Sequence, residues 1–158
     1  NVCRKRVSAG LVLIFLDPTD CSVPMKTVLS LSKSLEHVDF IINVATGTDA
    51  NRNLQKAFAM PDSKVRKKYE TFLGSAAFFT SEDNIQLSNT RQFDKLRAQF
   101  RAAYKSALAK EEYQYFDVEI IKHYYDLLFA SKHPLGLKLW KQAQRIRPDS
   151  QSTFDLGI

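Results

Sequence analysis

Glycine is scarce in this chain, and its scarcity excludes more than any residue present. The 158 residues hold five glycines, Gly10, Gly47, Gly74, Gly136 and Gly157, and the closest two lie 21 positions apart. A dinucleotide fingerprint or a phosphate loop needs glycines within a few residues of one another, so the sequence carries neither. Cysteine is equally sparse: Cys3 and Cys21 cannot build a disulfide framework. Neither they nor His37, His123 and His133 show the spacing that zinc sites use. No serine sits in a nucleophile-elbow pattern. The longest unbroken apolar stretch, Leu11 to Leu16, is six residues, against about 18 for a membrane-spanning helix. No signal or transit segment is visible at the start, which makes the cytoplasm the expected compartment and a membrane an unexpected partner.

What is present is ordinary globular composition, 44% hydrophobic and 25% charged, enough for one core. The expected organisation is a single α/β domain over residues 1–147 with an extended tail over 148–158. Lys plus Arg number 23 against 17 Asp plus Glu, a net +6 that raises the question of a polyanionic partner such as nucleic acid. The excess is spread as +2, +3 and +1 over residues 1–61, 62–112 and 113–158. Lys64, Arg66, Lys67 and Lys68 fall on the polar side of a short predicted helix. Arg97, Arg101 and Lys105 share one face of a longer one, as either a solvated surface or a phosphate-binding stripe.

Residues 9–16 form a continuous apolar run ending at Asp17-Pro18, the pattern of a strand buried on both faces in a parallel sheet. Helical spacing follows from Pro24 to about Glu36, and Val38 to Val44 is a second apolar, β-branched run. Strand, helix and strand with short connections make a parallel βαβ unit. Residues 49–60 are less regular and read as a loop with at most a helical turn. Asp62 to Leu73 reads as a helix stopped by Gly74, and a loop through Ser81-Glu82-Asp83-Asn84 precedes a long helix from Thr90 to Glu112. Only Lys122-His123 separates the runs Tyr115 to Ile121 and Tyr124 to Ala130, which permits an antiparallel hairpin and forbids a parallel crossover. A last helix from Pro134 to Ile146 is expected to turn Leu135, Leu139 and Trp140 inward.

Ligands of open α/β sheets sit outside the carboxyl ends of the strands, so the residues after Leu16 and Val44 are the first candidates. Asp17 can accept a hydrogen bond from an amine or a hydroxyl, with Pro18 fixing the turn. Asp17 and Asp20 can equally cap the following turn or helix. Asn43 is placed to line the same crevice, and Arg52 to face it from the next loop. Ser131, Lys132 and His133 precede the last helix, where they either bind an anion at its free amides or cap it, with Pro134 in its first turn and Gly136 allowing close packing. Tyr124, Tyr125 and Phe129 read as packing residues rather than as a base-stacking platform.

Phe15-Leu16-Asp17-Pro18 near the start and the run Tyr124-Tyr125-Asp126-Leu127-Leu128-Phe129-Ala130-Ser131-Lys132-His133-Pro134-Leu135-Gly136 near the end resemble the three-Cys-motif partner proteins. These have a domain like that of class I S-adenosylmethionine-dependent methyltransferases, whose rear half runs parallel βαβ, long helix, antiparallel hairpin. The resemblance covers most of residues 11–147 and implies a three-layer, Rossmann-like mixed sheet. It also implies S-adenosylmethionine as cofactor, held by a glycine-rich loop of a front half, with Asp17, Pro18 and Asp20 nearest the transfer site. Thr19 and Asp20 stand where the family carries an aromatic residue and a glycine. Without that glycine loop, the resemblance implies a C-terminal portion of a longer protein or a reduced descendant, with a sheet edge left for a protein partner or a second copy to cover. The other reading is a non-catalytic module that binds protein or nucleic acid through its basic helices.

Overall fold

A computed structural model describes residues 10–121 and 124–145. The elements run β1 (Val12–Leu16), α1 (Met25–Ser34), β2 (Val38–Val44), a π-helical turn (Thr46–Ala50) continuing into α2 (Asn51–Ala59), α3 (Lys64–Leu73), α4 (Ala77–Thr80) and α5 (Glu82–Asn89). Then come α6 (Phe93–Ala109), β3 (Tyr115–Ile121), β4 (Tyr125–Ser131) and α7 (Pro134–Ala143). The expected tail, the Lys122-His123 link, Cys3 and Ile146 lie outside the described residues.

The two apolar runs pair in parallel, Val12 beside Val38 and Leu16 beside Ile42. The terminal hairpin is antiparallel, and its second strand, not its first, joins β2, with Phe40 opposite Ala130 and Val44 opposite Asp126. The order is β1-β2-β4-β3, so the chain is a mixed α/β protein on a four-stranded mixed sheet. One sheet face, including Val12, Ile14, Phe40, Ile42, Leu128 and Phe116, joins a single apolar cluster with Met25, Leu54, Tyr69, Phe72, Phe100 and Tyr104 from the helices. Phe72 packs at 4.6 Å from Tyr104 and 5.8 Å from Phe100, ring centre to ring centre. Each such fully buried side chain contributes on the order of 1.5–3 kcal/mol.

Among the described residues, the opposite face carries α7 as its one helix. Trp140 stacks on Phe129 at 5.2 Å. Its Nε1 donates to Asp117 Oδ2 at 2.8 Å, and Lys141 pairs with the same oxygen at 2.6 Å. Burial works against the charge of Asp117, but these donors hold its carboxyl below the usual value.

Four expectations need correction. β1 is an edge strand of the described sheet, and Leu13 and Phe15 on it and Leu11 just before it are 59%, 57% and 80% exposed, because α7 packs chiefly on β3 and β4. Residues 49–59 are helical throughout rather than a loop with a helical turn, since Ala50, Leu54 and Ala57 make a narrow stripe that is fully buried. Ser81 to Asn84 is a helix start: the Ser81 hydroxyl accepts from the Asn84 amide, and Glu82 and Asp83 occupy the first turn. This shortens the long helix to α6, which a left-handed residue, Arg91 at φ 55°, separates from α5. Leu135 and Leu139 are half exposed, at 47% and 48%, where they line a cavity beside Val12 and Val38, and of the three Trp140 alone stacks on a ring of the sheet.

Candidate functional site

The carboxyl ends of β1 and β2 bring two of the predicted residues together. Asp17 follows β1 and Asn43 stands next to last in β2, one row beyond the Leu16–Ile42 pair and on the outward face. Asn43 Nδ2 donates to Asp17 Oδ1 at 2.7 Å. A carboxylate only accepts, so this bond fixes the amide orientation and leaves Asn43 Oδ1 buried with no partner among the described residues. Asp17 itself is exposed. The pair therefore presents an oriented carboxylate at the sheet edge, able to accept a proton donor from an amine or a hydroxyl.

Asp20 lies in a second cluster in the same loop. Lys68 of α3 bridges Asp49 Oδ2 at 2.6 Å and Asp20 Oδ2 at 3.3 Å. Asp49 also accepts the Cys21 amide at 3.0 Å and Asn53 Nδ2 at 2.8 Å, while the Tyr69 hydroxyl donates to its carbonyl at 2.9 Å. Burial opposes the Asp49 charge, but the donors, Lys68 first among them, hold its carboxyl below the usual range. For Lys68 burial is likewise outweighed, and its ammonium is held above its ordinary value. The cluster clamps the loop after β1 to α2 and α3. Sequence reasoning missed Asp49 and Lys68, whose partners lie 19 and 48 residues apart. Neither Asp17 nor Asp20 caps α1, whose N-cap, Pro24, has no side-chain capping bond. The Cys21 thiol is buried and pushed well above its usual value, chiefly by desolvation.

The remaining candidates stand apart from this edge. Arg52 is exposed in the first turn of α2, with no ion pair among the described residues. Ser131, Lys132 and His133 occupy the opposite sheet edge, because β4 runs against β1 and β2. There the capping reading holds: the His133 ring accepts from the Leu135 amide at 3.1 Å, and Pro134 opens α7. Ser131 Oγ accepts from the His133 amide at 3.1 Å. Gly136 allows the predicted close packing, since a Cβ there would lie 2.3 Å from Ser131 Oγ and 2.4 Å from Asp39 Oδ2. Asp39, half-buried beside them, has its carboxyl raised by burial.

The basic stripes are largely consumed by the fold. Arg66 is buried over the Phe79 ring at 4.5 Å and pairs with Glu70 at 2.7 Å, and Lys68 sits in the cluster above. Arg101 pairs with buried Asp126 at 2.8 Å, Arg97 bonds Asp94 and Asn51, and Lys105 lies 5.1 Å from the Phe116 ring centre. Of Tyr124, Tyr125 and Phe129, only Phe129 packs deeply, and Tyr124 is 62% exposed.

Among the described residues no group of histidine, cysteine and carboxylate side chains is placed to hold a metal ion. No described helix is long and apolar enough to cross a membrane. The fold and this edge define a mixed α/β protein with an oriented carboxylate at the carboxyl end of its first strand. No family model, curated protein or solved structure matches the chain.

Proposed function

We propose that this chain is a S-adenosylmethionine-dependent methyltransferase-like protein of the three-Cys-motif partner type, and the rear portion of a larger domain. The observation that carries the reading is the strand order β1-β2-β4-β3 with β4 alone reversed, a parallel βαβ unit followed by a long helix and an inserted hairpin strand. Asp17, oriented by Asn43 and followed by Pro18, supports it as the residue nearest a transferable group. Asp20 serves the same loop by anchoring it to Lys68.

The chain alone does not fit the cofactor. Its described glycines, Gly10, Gly47, Gly74 and Gly136, lie in four separate parts of the fold, and none makes the paired turn that a nucleoside cofactor needs. The front half is placed by this reading against the open edge of β1, where Leu11, Leu13 and Phe15 are exposed. Isothermal titration with S-adenosylmethionine, on this chain and on a form extended upstream, tests the proposal. Binding by the extended form alone is expected, and no binding by either refutes the reading.

A further inference from the structure

The predicted stripe Arg97–Arg101 meets a cavity that the reading above leaves unused. It has a volume of about 320 Å³ and lies at the carboxyl ends of β2 and β3, between α6 and the helical run that starts at Thr46. Its charged lining is two arginines, Arg97 and Arg101, and two carboxylates, Asp94 and Asp126, with Thr46 and Asn51 beside them and the backbone at Gly47. Asp126, 2% exposed, is already answered by the Thr46 hydroxyl and by Arg101. Each guanidinium carries about five N–H donors; Arg101 commits one to Asp126, and Arg97 one each to Asn51 and Asp94. The Asp94 side chain is 95% exposed, so its pairing with Arg97 is a weak surface contact that a better acceptor displaces. The cavity thus holds one compensated guanidinium and one that is free to exchange its partner.

We propose that this cavity binds a phosphate-type oxyanion, held by Arg97 and the unspent donors of Arg101 against the backbone at Gly47. Two guanidinium forks converging on one concave site match the several oxygens of such a group. Asp126 keeps Arg101 in place without cancelling Arg97. This site stands on its own residues and does not depend on cofactor binding.

Titration of the full chain with inorganic phosphate and with pyrophosphate, by calorimetry and by the amide resonance of Gly47, tests the proposal. Phosphate is expected to shift Gly47, and Arg97→Gln to weaken binding by about tenfold or more, the loss of a charge-assisted hydrogen bond. Asp94→Asn, which removes the competing carboxylate, is expected to tighten it. Lys64→Gln, at the exposed start of α3, is expected to leave it unchanged. Arg97→Lys, which keeps the charge but not the fork, provides a second variant with intermediate affinity if the Gln variant does not fold. No shift at Gly47, equal binding by wild type and Arg97→Gln, or equal losses in Arg97→Gln and Lys64→Gln would each overturn the site. Phosphate binding by this chain, with S-adenosylmethionine bound by neither this chain nor the upstream-extended form, leaves this proposal standing and the previous one refuted.

Discussion

Replacing Lys68 by methionine isolates the cluster that clamps the loop after β1. The change keeps much of the apolar stem but removes the ammonium from Asp49, whose side chain is 8% exposed, and from Asp20, which is 39% exposed. Removing one partner of a fully buried pair costs about 3–5 kcal/mol, whereas exposed pairs are worth about 0–1 kcal/mol. Asp49 retains the Cys21 amide and Asn53, so the expected loss lies between these limits, about 2 kcal/mol. For a domain of this size that lowers Tm by about 4–8 °C.

The pH dependence has a defined sign. The folded Asp49 carboxyl is held below its ordinary value of 3.8, so its contribution is fully present above that pH and is lost as pH falls through the folded value. Lys68 is raised above 10.5, so its contribution persists through neutrality and fades only at strongly alkaline pH. The stability gap between wild type and Lys68→Met should therefore be flat across neutral pH and narrow in acid. Urea denaturation followed by circular dichroism at several pH values measures it. A gap below about 0.5 kcal/mol, the ordinary scatter of surface substitutions, or one unchanged in strong acid, refutes the clamp.

Two further outcomes follow from the opposite edge and from the core. Gly136→Ala gains roughly 1 kcal/mol of helix propensity, but its Cβ meets the fully buried Ser131 at 2.3 Å and 2.9 Å. Overpacking of this kind costs about 1–3 kcal/mol, so a net loss in urea melts is expected, and a more stable variant would contradict the packing. Cys21, buried and held as the thiol, should resist alkylation in the folded protein and react on unfolding. Mass-spectrometric mapping that finds rapid modification at Cys21 under native conditions would show that the loop opens.

The elements that depend on local pattern were readable from the sequence. The apolar runs of β1 and β2, the short hairpin link, the stop at Gly74 and the cap before Pro134 each follow from residues a few positions apart. Asp17 and Asn43 were also found, because parallel pairing places strand ends side by side. Relations across long separations were not readable. Thr46 meets Asp126 across 80 residues, and Lys68 meets Asp20 across 48. The exposure of Leu135 and Leu139 depends on which half of the sheet α7 covers, and helical periodicity alone does not say. The charge on α3 and α6 looked superficial because a sequence shows where a cation stands on a helix, not the carboxylate or ring it meets. Ser81 differs in kind: a serine followed by two acids is a local signal for the start of α5, in a stretch that reads as a loop.

The position of β4 has a consequence for synthesis. It is the last of the described strands in chain order, yet it stands inside the sheet, between β2 and β3. Until Tyr125–Ser131 has left the ribosome, β2 has β1 on one side and nothing on the other, and β3 has no neighbour at all. The helices α1 to α6 can gather earlier, but the platform they rest on closes only when nearly the whole described chain is free. Folding is therefore gated by the C-terminal hairpin. A chain truncated before it would present two open strands to its surroundings, the condition in which edge-to-edge association begins.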